Sequence, residues 1–336
     1  MKQARGTLIL FLVVAVLGAL TFWDFHSEEK KNKAELENTR IFPLDTEKIK
    51  SVSIRHGKDA LKLSKDGQWR LETPVADAVD EPAVKDFLRD LTTERFQNVA
   101  REGEGIDWKI FGLDEPMATI SVEESEGRKV SVLISAKKNF EGNSLIRIEG
   151  ENRVLVAPFT LHSWATKKAL DFRDRRILRA DVSGVNEIIF SGKERLRLRL
   201  LEGQWRAEGR DVEIEASRVR EFLNTLVNNK ADEFALEGKA TPAKRKELGL
   251  FRPVASIELG FSDRRWKADF FRGQDKINYA EVSDPAFILK VPAFLLTRFE
   301  EMDINAFRNL KKPFEFSRDS VQLVSWSKGG KKTTFK

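Results

Sequence analysis

His26, His56 and His162 are the three histidines of the chain. A helical zinc site needs two ligands one turn apart, as in HExxH, and none of the three has such a partner. The sequence holds no cysteine, which excludes thiolate ligands, disulfides and a lipid-attachment thiol. No Gly-x-Ser-x-Gly elbow presents a serine nucleophile, and no Walker A loop presents a lysine to a nucleotide. Carboxylates are plentiful, with Glu102, Glu104, Asp107, Asp114, Glu115, Glu123, Glu124 and Glu126 close together. A glycoside hydrolase sets two such groups across a sugar, but among 53 acidic residues closeness in sequence says nothing about that pairing. The sequence therefore names no catalytic, cofactor-binding or metal-ligating residue, and a non-enzymatic role is the expectation.

Arg173, Arg175, Arg176 and Arg179 form the remaining concentration of charge, interleaved with Asp171, Asp174 and Asp181. Alternating signs suit mutual pairing, which reads as a salt-bridged junction between domains. The same arginines also suit an interface for an acidic partner or lipid head groups, and both readings stand at this level. Over the whole chain 59 basic and 53 acidic residues leave a net charge of +6. Their interleaving reads as a solvated surface of both signs, without the basic stripe that nucleic-acid binding uses.

The elements that position these residues come in a repeat. Gly67-Gln68-Trp69 returns as Gly203-Gln204-Trp205, 136 residues on. The helical spacing Val84, Phe87, Leu88, Leu91 returns as Val219, Phe222, Leu223, Leu226. Phe111-Gly112-Leu113 with Pro116 returns as Leu248-Gly249-Leu250 with Pro253, Ala157-Pro158 as Val291-Pro292, and Phe172-Arg173 as Phe307-Arg308. Offsets of 134 to 137 in unbroken order mark a duplicated domain.

Each copy opens with alternating apolar residues, Ile49 to Leu71 and Ile188 to Trp205, the period of a half-buried antiparallel meander. The Trp is expected to fill the core where meander meets helix. Asp80-Glu81-Pro82 starts an amphipathic helix, repeated by Ser217 and the run from Val219. Short extended pieces follow at Phe96 to Ala100 and Glu233 to Leu236, then short helices ending at Gly112 and Gly249. Four more strands come next in each copy: 119–122, 130–134, 145–148 and 153–156, then 255–259, 266–271, 277–282 and 287–289. Helices over 159–170 and 293–302 close the copies. No regular βαβ alternation occurs, so the fold class is α+β, a tandem duplication of a mostly antiparallel β domain with a few short helices. The copies span 42–179 and 180–312. Residues 313–336, with Val321, Leu323 and Gly329-Gly330, read as a partial third copy or an edge hairpin.

Residues 7–23 form an uncharged apolar run of 17 residues behind Lys2 and Arg5. That is the short end of a membrane span, with flanks that place the N-terminus in the cytoplasm. A cleaved signal peptide shares this start, but Phe22, Trp23 and Phe25 at the exit are bulky where a signal peptidase needs small residues. Residues 1–25 are thus expected to be an uncleaved transmembrane helix with its start. Residues 26–41 read as a polar linker, and the rest as extracytoplasmic.

These landmarks in this order resemble the bacterial domain-of-unknown-function 4340 family, over residues 42–312 and the partial third copy. Members are typically anchored proteins facing the periplasm or cell surface, encoded beside an ABC-type exporter like the gliding-motility transporter. The resemblance implies an accessory role, with the permease or its auxiliary extracytoplasmic subunit as partner, and carries over no catalytic residue. Copy two departs from the pattern at Phe251-Arg252, where copy one has Asp114-Glu115. A second class of function is a periplasmic binding module for envelope glycan or a transported substrate. Exposed aromatics at Trp266 and Tyr279 would favour it and their burial would count against it.

Overall fold

A computed structural model describes residues 36–274, 276–308 and 321–335. The apolar run 7–23, most of the 26–41 linker and residues 309–320 lie outside the described residues. Among the described residues no helix is long and apolar enough to cross a membrane. The chain divides into two compact units at Asp174/Arg175, five residues before the 179/180 boundary expected from the sequence.

Unit one opens with β1 (Ile49–His56), β2 (Asp59–Asp66) and β3 (Gln68–Thr73), followed by the two-residue β4 (Asp77–Ala78). Helix α1 (Glu81–Thr93), β5 (Asn98–Glu102) and the short α2 (Trp108–Phe111) come next. Strands β6 (Ala118–Glu124), β7 (Lys129–Lys138), β8 (Ser144–Ile148) and β9 (Arg153–Ala157) complete the sheet. Its order is β4-β3-β2-β1-β6-β7-β8-β9-β5, with the pairs antiparallel. The helix expected over 159–170 is two, α3 (Thr160–Ala165) and α4 (Ala169–Phe172). The Asp171 carboxylate accepts the Lys168 backbone N–H at 2.7 Å, and this local cap starts a new helix where one long helix was expected.

Unit two repeats the plan: β10 (Glu187–Ser191), β11 (Arg195–Leu201), β12 (Gln204–Ala207), α5 (Ala216–Asn228), β13 (Glu233–Glu237) and α6 (Pro242–Leu248). Then follow β14 (Ala255–Gly260), β15 (Arg265–Arg272), β16 (Asn278–Ser283), β17 (Ala286–Lys290) and α7 (Ala293–Glu300). The order β12-β11-β10-β14-β15-β16-β17-β13 is that of unit one without β4. Helix α5 starts after Glu215, and the Ser217 hydroxyl donates to the Glu215 carboxylate at 2.6 Å. The hairpin β18 (Val324–Lys328) and β19 (Lys331–Phe335) forms a sheet of its own and joins neither edge of the eight-stranded one.

One face of each sheet is the core face. In unit one Val52, Ile54, Leu61, Leu63, Ile120 and Val122 pack beneath Val84, Phe87, Leu88 and Leu91 of α1. In unit two Ile188, Phe190, Leu196, Leu198 and Ile257 meet Val219, Phe222, Leu223 and Leu226 of α5. Strict alternation in Arg195-Leu196-Arg197-Leu198-Arg199 puts the leucines on this face and the arginines on the other. Trp69 is buried, whereas Trp205, at the same position of its strand, is half-buried against its core. The two tryptophans hold equivalent strand positions but differ in burial: β12 is two residues shorter than β3, and a single bridge from Arg206 to Glu213 stands where β3 pairs with β4.

Candidate functional site

The Phe-Arg landmark is a latch within each unit. Phe172 is fully buried with its ring 5.0 Å from that of Phe87, and Phe307 takes the same place 5.3 Å from Phe222. The carbonyl of Phe172 accepts the Asp80 N–H at 2.8 Å, and that of Phe307 accepts the Glu215 N–H at 2.9 Å. Each arginine then bridges the residue before the helix cap, Val79 to Arg173 and Ile214 to Arg308. Arg173 donates through Nε to Asp77 Oδ2 at 2.7 Å, with side chains only 7% and 8% exposed. Of the four arginines singled out by sequence, Arg173 is thus a buried member of unit one.

Arg175, Arg176 and Arg179 are half-buried and belong to the lead-in segment of unit two. Arg175 donates through Nη1 to the carbonyls of Ala231 at 3.0 Å and Asp232 at 3.3 Å, while its own carbonyl accepts the Ala231 N–H at 2.7 Å. Arg176 bridges Lys230. The Arg179 guanidinium lies 4.8 Å from the Phe287 ring centre and 5.6 Å from that of Phe234, a cation–π arrangement. Unit one has the same lead-in: Arg40 bridges Arg95, Ile41 N–H reaches the Glu94 carbonyl, and Phe96 N–H reaches that of Thr39. Arg40-Ile41 and Arg176-Ile177, 136 residues apart, make this lead-in one more landmark that recurs.

The carboxylates do local work. Glu124 is buried and accepts the Asp45 N–H at 2.7 Å, Glu123 pairs with Lys50 at 2.8 Å and Glu126 with Lys48 at 2.9 Å, and Asp107 caps α2 through the Lys109 N–H. Glu102, Glu104, Asp114 and Glu115 are exposed. Among the described residues no group of three or more His, Asp or Glu side chains is placed to hold a metal ion. His56 pairs across β1 with Asp59 and with Ala118 of β6. His162 stacks on Phe159 at 5.2 Å, and burial, with Lys138 nearby, lowers its pKa from the ordinary value. His26 lies outside the described residues.

The strongest electrostatic feature is one that sequence reasoning passed over. On the outer face of the second sheet Glu187 accepts Arg197 Nε at 2.7 Å and Arg199 Nε at 2.9 Å on one oxygen, and Arg265 Nη2 at 2.8 Å on the other. Burial pushes its pKa upward, but the hydrogen bonds from Arg199, Arg197 and Arg265 outweigh this and hold it at about 2. Alternation of Arg and Leu in β11 was the available signal, while the partners on β10 and β15 needed the register. Trp266 and Tyr279 are 2% and 5% exposed, so the aromatics that would have favoured a binding module are inside the unit.

Two α+β units of one strand order, each latched by a Phe-Arg pair, define a tandem-module protein. The chain belongs to the family described as Domain of unknown function (DUF4340), which it matches over residues 69–253. No curated protein and no solved structure matches it.

Proposed function

We propose that this protein is a non-enzymatic, membrane-anchored extracytoplasmic accessory subunit of an ABC-type export or gliding-motility-like complex. In this reading residues 7–23 hold it in the bacterial inner membrane, with the N-terminus in the cytoplasm and both units outside. The observation that carries the reading is the pairing of that apolar run, behind Lys2 and Arg5, with modules that end in open sheet edges. Strand β5, at one edge, is exposed along its whole length. Such an edge accepts a partner's strand through main-chain hydrogen bonds. Confining both proteins to one membrane raises their effective concentration, so a modest interface suffices. The partner is the permease or its auxiliary extracytoplasmic subunit.

Purification in mild detergent after cross-linking tests this. Recovery of a permease or auxiliary subunit is expected, and a chain that purifies alone and whose gene has no transporter neighbour overturns it. A binding module for glycan or a transported substrate would then take its place, although the burial of Trp266 and Tyr279 weighs against that reading. Charge reversal at Arg175 and Arg176 is expected to weaken recovery. Since Arg175 also holds backbone carbonyls within unit two, circular dichroism of the variant separates lost contact from lost fold. Recovery of a soluble, shortened form starting near Asp24 would show that the apolar run is a cleaved signal.

A further inference from the structure

Phe140 is 96% exposed at the tip of the β7–β8 hairpin. Transfer of that ring from water to an apolar environment would be favourable. The tip is a shaped turn: Asn139 Oδ1 accepts the N–H groups of Glu141 at 3.0 Å and Asn143 at 2.8 Å, which is an Asx-type fold-back. Two further apolar side chains stand out beside the turn end of this hairpin. Ile110 of α2 is exposed, and its carbonyl accepts Lys137 Nζ at 2.8 Å. Phe159 is partly exposed, with Lys138 Nζ 4.4 Å from its ring centre.

This apex lies where the chain comes into unit one. Asn143 Nδ2 donates to Gln97 Oε1 at 2.8 Å, and the neighbouring Phe96 N–H donates to the Thr39 carbonyl at 2.9 Å. Thr160, beside Phe159, donates to Glu94 at 2.8 Å, and Glu94 receives the Ile41 N–H through its carbonyl. Trp23, the last residue of the apolar run, precedes Leu36 by 13 residues, a contour of at most about 45 Å. An anchor in the bilayer therefore holds this end of unit one within about 45 Å of the lipid surface. Charges around the apex are mixed. Lys109, Lys137, Lys138, Arg40 and Arg95 stand against Glu37, Glu94, Asp107 and Glu141, with Glu37 paired to Arg40 and Glu141 drawn onto Asn143 Nδ2 at 3.2 Å. Insertion here would rest on the apolar side chains, since Lys137 Nζ is held on the Lys109 and Ile110 carbonyls and Lys138 Nζ over the Phe159 ring.

We infer that the Phe140 apex docks into the headgroup–acyl boundary of the membrane that holds the anchor, fixing unit one against the bilayer. The inference rests on the reading of residues 7–23 as that anchor. Because the chain has no cysteine, one probe can be placed at will. Full-length Phe140→Cys, carrying an environment-sensitive fluorophore, is reconstituted into phosphatidylethanolamine–phosphatidylglycerol vesicles. Ser125→Cys, in the turn at the opposite end of β7, is labelled identically as the control. The expected result is blue-shifted emission at position 140, quenched by nitroxide-bearing lipids, with aqueous emission at 125. A chain that floats with the vesicles but shows equal, aqueous emission at both positions overturns the inference alone. A chain that does not float overturns the anchor reading and this inference with it.

Discussion

At the scale of the residue, Glu187 keeps its charge because three guanidinium groups converge on it. Its folded pKa of about 2 lies below the ordinary 4.5. The stabilisation is therefore fully present above about pH 4.5 and is lost as pH falls through the folded value. The shift corresponds to about 3 kcal/mol at most, and to about 2 kcal/mol once solvation of the partly exposed arginines is allowed for. Glu187→Gln is expected to lower stability by that amount at pH 7 in urea denaturation, with the gap to the native protein closing toward pH 2. A gap that does not change with pH would make the side chain's role one of packing. The Arg173–Asp77 pair is different in kind, since both partners are buried. Asp77→Ala removes a carboxylate that is hydrogen-bonded to the buried Arg173 and is expected to cost about 3–5 kcal/mol, while Asp77→Leu with Arg173→Met recovers most of the loss. Trp69→Ala is expected to cost about 3–5 kcal/mol and Trp205→Ala about 1–2 kcal/mol, because Trp205 buries less apolar surface. Equal costs would contradict the half-burial of Trp205.

At the scale of the element, Gly112 and Gly249 show why one landmark recurs. Each follows a short helix in the left-handed region, at φ +65° and +73°, and turns the chain so that Leu113 and Leu250 are buried. A Cβ at Gly249 would lie 2.9 Å from the Gln274 backbone nitrogen, and one at Gly112 would lie 2.8 Å from Ser135 Oγ. That hydroxyl is already bonded to the Phe111 carbonyl at 2.6 Å. Gly203, at φ +79° in the β11–β12 turn, has open space around it. Gly249→Ala therefore combines backbone strain with a clash and is expected to cost more than the about 1–2 kcal/mol of strain alone. Gly203→Asn is expected to be nearly neutral, since Asn tolerates this conformation. Thermal denaturation of the two variants checks the contrast, and equal losses would show that the close approach at Gly249 is relieved by movement.

At the scale of the whole molecule, the principal cores draw on separate stretches of chain, residues 41–172 in unit one and 177–307 in unit two. Residues 36–174 expressed alone are expected to unfold in one cooperative transition, followed by near-ultraviolet circular dichroism. A chain piece without fixed tertiary signal would show that unit one depends on the remainder. The elements and their recurrence are written in the order of residues along each segment, because local periodicity and turn chemistry act within a few residues. The alternation of β1 and β11, the Val84 to Leu91 face and the αL glycines could all be read in this way, and so could the α+β class. What is joined across distance emerges from the folded chain alone. It pairs β5 with β9 at the far edge, brings Glu187 against arginines from two other strands, and puts Arg173 inside unit one while Arg175 opens unit two. It also buries Trp266 and Tyr279 and leaves Phe140 in water. These outcomes depend on strand register and on which face another element covers, and neither is encoded in the spacing of residues along one segment.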